Sequence, residues 1–129
     1  MALTSLAEAQ EVREHYLGFF QSMAARGIRG EVSVKPTQLG LEQAFDRCVE
    51  HGLALAEEAH ATGSVLWFDM EDSTLVDPTL ELYEAVKTRW PATGLALQAY
   101  LHRTPSDLER LLPLDPVLRL VKGAYAEPR

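Results

Sequence analysis

Residues 64–71 read Ser-Val-Leu-Trp-Phe-Asp-Met-Glu. Four apolar residues follow one another and acids then appear, which suits a strand that ends at a polar rim. Side chains alternate along a strand. That places Val65, Trp67, Asp69 and Glu71 on one face and Leu66, Phe68 and Met70 on the other. One face is apolar throughout, while the other turns polar at its carboxyl end.

Three more segments repeat the arrangement. Lys35 follows Glu-Val-Ser-Val at 31–34, Gln98 follows Leu-Ala-Leu at 95–97, and Lys122 follows Leu-Arg-Leu-Val at 118–121. Alternation groups Ser33 with Lys35, Ala96 with Gln98 and Tyr100, and Arg119 with Val121 and Gly123; Leu118, Leu120 and Lys122 take the opposite face.

Helical patterns separate these strands. Ser5 and Glu8 form a capping box ahead of a stripe of Val12, Tyr16, Phe19, Phe20 and Met23, closed by Gly27 and Gly30. Leu41, Ala44, Phe45, Cys48, Gly52 and Leu55 form the next stripe, which ends near Gly63. Asp77 and Pro78 read as an N-cap and first helical residue before Leu80, Tyr83 and Val86, with Pro91 and Gly94 as the stop. Thr104 and Pro105 open a last helix with Asp107 at the capping-box position and Leu108, Leu111 and Leu112 on its face.

The order α-β-α-β-α-β-α-β implies a parallel sheet with crossover helices. The length of 129 residues would complete an open doubly wound sheet. It is about half of a (β/α)8 barrel, which takes roughly 250 residues. Helices cover both faces of a doubly wound sheet, so its strands should be apolar on both sides. One-sided polarity favours the partial TIM barrel, with a single segment spanning 1–129.

Composition narrows the function. The chain is 47% hydrophobic and 24% charged with net charge −7. That charge argues against a nucleic-acid partner. A single cysteine, Cys48, gives neither an internal disulfide nor a cysteine zinc site. His15, His51, His60 and His102 lack metal-ligand spacing, so no metal is expected, and His51 and His60 read as surface residues on opposite sides of one helix. No Rossmann fingerprint, P-loop, nucleophile elbow or zincin motif is present. The N-terminal stretch lacks a basic region followed by an apolar core, so a cytoplasmic location is expected. Simpler roles are open to each polar residue: a solvent-reaching lysine for Lys35, a loop or capping cluster for Asp69, Glu71 and Asp72, and a structural ion pair for Asp69 and Arg119.

Four segments together resemble a known family. Val-Ser-Val-Lys-Pro-Thr-Gln-Leu-Gly-Leu at 32–41, Phe-Asp-Met-Glu-Asp-Ser at 68–73, Leu-Ala-Leu-Gln-Ala-Tyr-Leu-His-Arg-Thr-Pro-Ser-Asp-Leu at 95–108 and Leu-Arg-Leu-Val-Lys-Gly-Ala-Tyr-Ala-Glu-Pro at 118–128 look like successive strand segments of the proline dehydrogenase family. The resemblance implies a barrel that binds FAD, oxidises L-proline to Δ1-pyrroline-5-carboxylate and passes electrons to a quinone. It implies Lys35 as the partner of the proline carboxylate and Tyr125 as a residue packing on the substrate. Asp69 would hold polar groups at the active site, and Arg119 would lie beside the flavin ring. Met70, Gln98, Val121, Lys122, Gly123 and Ala124 would contact the cofactor. A quinone acceptor could bring the protein to the periphery of the inner membrane.

The family pattern also continues for three or more βα units beyond the last strand and carries an arginine pair on a late helix. The expectation is therefore a partial site with little activity in isolation. The alternative is a non-catalytic remnant that self-associates through open sheet edges or pairs with a complementary fragment. A flavodoxin-like domain ranks last, because Lys-Pro-Thr-Gln-Leu-Gly-Leu at 35–41 makes a poor phosphate loop.

Overall fold

The computed structural model describes residues 5–123. Ala124 and Tyr125, both expected at the site, lie outside the described residues.

Helix α1, Leu6–Ala25, is capped by Ser5, whose Oγ accepts from the Glu8 amide at 3.1 Å; the same hydroxyl donates to the Glu8 carboxylate at 3.2 Å. Gly27 adopts φ 71° just past the helix end, a left-handed conformation that a side chain disfavours. The elements that follow are β1 (Glu31–Val34), α2 (Phe45–Thr62), β2 (Val65–Phe68), α3 (Val76–Arg89), β3 (Gly94–Gln98), α4 (Thr104–Leu111) and β4 (Val117–Val121), with short 3-10 turns at Pro36–Leu39, Ser73–Leu75 and Leu112–Leu114.

The four strands are parallel and lie in the order β1-β2-β3-β4. A doubly wound sheet reverses its strand order at a switch point. Here the order never reverses, and parallel crossovers share one hand, so the helices gather on one face of the sheet. This is the winding of a (β/α)8 barrel, of which four βα units are present. The helix-facing side chains Val34, Leu66, Phe68, Leu95 and Leu97 are buried together with Leu55 from α2, Tyr83 from α3 and Leu111 from α4. Full burial of one such side chain contributes about 1.5–3 kcal/mol before entropy is counted. Among the described residues no helix is long and apolar enough to cross a membrane.

Several sequence expectations change in physical context. Helix α3 begins at Val76, before the Asp77-Pro78 signal, because Asp72 accepts the Thr74 amide at 3.0 Å and starts a 3-10 turn that runs into the helix. Asp77 instead pairs with Arg103 at 2.6 Å. Asp107 also binds Arg103, at 2.8 Å, rather than acting through a capping box. Leu41 and Ala44 precede α2 instead of riding on it. Phe19 is exposed, since α1 buries only a narrow line through Ala9 and Phe20. His51 is buried, not at the surface, because α1 packs over α2 and Arg13 Nη1 reaches His51 Nδ1 at 3.4 Å. Leu112 and Leu120 were expected to pack, yet they are 59% and 63% exposed beside β4, where the described sheet has no further strand.

Candidate functional site

The inner face of the sheet is built in tiers. Ser33 pairs with Trp67, Trp67 with Gly94, Ala96 with Arg119, and Gln98 with Val121. Glycine and alanine on β3 leave that strand almost bare on this side. The indole of Trp67 fills the space a Cβ at residue 94 would take, and Arg119 reaches from β4 across β3 to β2. Gly94 opens β3, and the indole lying over it explains why this strand position carries no side chain.

The strands' carboxyl ends surround a cavity of about 310 Å³ lined by Lys35, Asp69, Met70, Ala96, Gln98, Arg119, Val121 and Gly123. Seven of the ten residues singled out from the sequence therefore meet here, contributed by all four strands or the residues just after them. Lys122 does not: it is exposed and absent from the cavity wall, as its place in the alternation dictates. A larger cleft of about 660 Å³ lies at the opposite end of the sheet, around Ser64, His60, Trp90 and Thr93. Parallel α/β folds place their chemistry at the carboxyl ends of strands, so the smaller cavity is the candidate site.

Its charges are unevenly held. Arg119 Nη2 stands 3.7 Å from Asp69 Oδ1 and 3.5 Å from Ser33 Oγ, and its guanidinium carbon lies 5.0 Å from the centre of the Trp67 ring. Lys35 makes no ion pair among the described residues. Two cations thus share one nearby carboxylate, and the wall is net positive. Tyr16, from α1, donates to the Ser33 carbonyl at 3.5 Å. Burial raises its hydroxyl pKa above the ordinary value, Asp69 pushes the same way, and Lys35 opposes.

Gln98 is the most constrained group. It is 1% exposed, and its Nε2 donates to the Glu71 carbonyl. Its Oε1 is buried without a partner among the described residues. An orphaned buried acceptor costs about 1–3 kcal/mol, so this atom invites a donor. Glu71 was grouped with the loop acids, but it is buried and accepts both the amide and the hydroxyl of Thr37, at 2.9 and 2.7 Å. It ties the loop after β1 to the loop after β2 and so supports Gln98 from behind. Sequence reasoning gave no role to Ser33, Trp67 or Thr37; each acts through a partner on another strand or loop. Gly123, at φ 108°, carries the ring of Tyr100 where a Cβ would stand.

Known proteins resemble this chain in sequence and fold. The family model for proline dehydrogenase matches residues 1–128. "Proline dehydrogenase 1" of Bacillus subtilis is 34% identical over 120 residues, covering 93% of this chain and 40% of that protein. "Proline dehydrogenase" of Deinococcus radiodurans is 33% identical, covering 98% and 42%. The chain thus spans about two fifths of the length of the curated relatives it matches. Among solved structures, a variant of proline utilization A from Bradyrhizobium japonicum superposes with a TM-score of 0.82 at 24% identity, over 96% of this chain and 15% of that one. Proline utilization A from Bdellovibrio bacteriovorus, inactivated by N-propargylglycine, gives 0.83 at 22%, over 97% and 17%. At such identity the structural likeness speaks for the barrel fold, and the sequence match reaches from the first helix through the last strand: the chain belongs to the proline dehydrogenase family.

Proposed function

We propose that the chain supplies the Lys35–Asp69–Gln98–Arg119 wall of a flavin-dependent site that oxidises L-proline to Δ1-pyrroline-5-carboxylate, with a quinone as the final acceptor. The observation that carries this reading is the meeting of those four residues at the strand ends of a proline dehydrogenase family chain. The residues fit FAD on one test in particular: Gln98 lines the cavity and its Oε1 lacks a donor, which a ring N–H of a flavin would supply. A bound flavin would contribute the acceptance of a hydride from the substrate.

The chain's own residues do the rest. Arg119 holds a permanent charge at the cavity wall and would stabilise negative charge on a flavin bound there. Asp69, 3.7 Å from Arg119, is the carboxylate of the cavity wall and leaves Lys35 without an ion pair among the described residues. Lys35, free of ion pairs among the described residues, suits the carboxylate of proline. Met70 and Val121 would give apolar contact to a bound ring, and Gly123 lines the same cavity. Lys122, Ala124 and Tyr125 belong to this reading by family resemblance alone.

Titration of FAD with the purified chain tests it, with flavin fluorescence as the readout and L-proline then added without oxygen. Saturable quenching that weakens in Arg119→Ala supports the assignment, as does slow bleaching that weakens in Lys35→Met. Equal behaviour of wild type and both variants would overturn it.

A second reading has its own observation. Leu120 is 63% exposed on β4, the last strand of the described sheet. Such an edge suits pairing with another copy or with a complementary piece of a barrel, in a non-catalytic protein. Sedimentation at rising concentration tests this: a strictly monomeric folded species removes it.

A further inference from the structure

Arg119 is nearly half exposed on a long side chain, yet the proposed chemistry needs its charge in one place. Three neighbours could hold it. The Asp69 contact, at 3.7 Å between side chains 46% and 30% exposed, belongs to a class of ion pairs worth little. The Ser33 contact, at 3.5 Å, is at the limit of hydrogen bonding. The indole contact is of another quality: 5.0 Å from ring centre to guanidinium lies well within cation–π range, and tryptophan is the strongest such partner.

The indole is itself fixed. Trp67 is 7% exposed, its ring rests on bare Gly94, and its Nε1 donates to Glu31 Oε1 at 2.7 Å. Glu31, at the start of β1, is exposed and takes no part in the cavity wall. A buried plate, held at its rim, therefore lies beneath a half-exposed cation.

We propose that Trp67 is a positioning residue, clamped by Glu31, whose indole face holds the Arg119 guanidinium at the cavity. The purpose of that placement rests on the flavin-site reading above; the placement itself does not.

The test has two independent arms. The first follows the Arg119 side-chain Nε–H resonance of the 15N-labelled chain, assigned by its loss in Arg119→Lys. The ring current of Trp67 should displace this resonance upfield. The displacement should vanish in Trp67→Leu, persist in reduced size in Trp67→Phe, and shrink in Glu31→Ala, a change at an exposed site. The second arm is FAD affinity. Trp67→Leu should weaken it roughly three- to tenfold, as loss of a cation–π contact predicts. Trp67→Phe should stay within about twofold, and Trp67→Leu should have no further effect in an Arg119→Ala background.

An Arg119 resonance unmoved by Trp67→Leu and Glu31→Ala would overturn the proposal. So would an equal loss of affinity from Trp67→Leu in the Arg119→Ala background, which would make the indole mere packing. If Trp67→Leu does not fold, Trp67→Phe and Glu31→Ala decide on the resonance. If the wild-type chain binds no flavin, the flavin reading fails while the resonance still decides the placement.

Discussion

The Glu71 carboxylate accepts two hydrogen bonds from one residue, Thr37, through its backbone amide at 2.9 Å and its hydroxyl at 2.7 Å. All of these groups are buried, so neither partner can turn to water instead. Removing the acceptor strands two donors. Glu71→Ala should cost about 2–3 kcal/mol in urea unfolding, since buried donors without partners carry a desolvation penalty. Thr37→Val should cost less, because the amide bond survives. Equal stability of Glu71→Ala and wild type would show that the two loops are joined by something else.

Gly94 sits opposite Trp67 in the register, and the indole occupies the volume of the missing Cβ. Gly94→Ala should therefore destabilise by about 1–3 kcal/mol, the range for overpacking. The usual gain from replacing a strand glycine, about 0.5–1 kcal/mol, should reappear once the ring is gone. In a Trp67→Leu background the same substitution should be neutral or stabilising. Thermal or urea melts of the four proteins check this. A penalty that persists without the indole would point to the backbone rather than the ring.

How much of this was legible in the sequence depends on the range of the interaction. Val65, Leu66, Trp67 and Phe68 announced a strand because alternation is a local property. The meeting of Lys35, Asp69, Gln98 and Arg119 followed from topology, since neighbouring parallel strands bring their carboxyl ends together. The start of α3 was misread because two aspartates competed: Asp77 had the proline after it, while Asp72 had the turn geometry. The burial of His51, the Thr37–Glu71 bond and the unpartnered Gln98 Oε1 depend on what lies across from them in space. No periodicity carries that information. Tyr100 was placed on β3, yet that strand ends at Gln98 and the ring serves to cover Gly123.

His51 gives the chain a pH dependence. Its pKa lies below the ordinary histidine value, first because it is buried and next because Arg13 faces it; Arg47 adds to the effect, while Glu50 and Glu14 oppose it. In the unfolded chain the ring titrates near 6.5. Above that pH both states hold it neutral and its contribution is fully present. As pH falls below 6.5, the unfolded state takes up the proton first, so stability declines until the folded pKa is passed. One proton allows a slope of at most about 1.4 kcal/mol per pH unit. His51→Gln, which keeps an acceptor for Arg13, should flatten the slope between pH 7 and 5. An unchanged slope in that variant would assign it to another group.

Cys48 should be chemically silent in the folded chain. It is fully buried, with its thiol 3.7 Å from the Pro36 carbonyl. Burial raises its pKa to about 12, and the nearby Glu71 charge pushes the same way. The thiolate is the reactive form, and a free cysteine titrates near 8.5. At pH 8 the folded thiol is then ionised about 10³-fold less than an exposed one, before burial excludes the reagent. Labelling by a disulfide reagent at pH 8 should accordingly be slow in buffer and fast in urea, with the rate in buffer set by transient opening. Glu71→Gln removes only the smaller of the two causes. It should quicken labelling modestly unless it also loosens the Thr37 loop, in which case labelling and urea stability should change together. Labelling of the native chain at the rate of a free thiol would show that Cys48 is not enclosed by α2 and the turn at Pro36–Leu39.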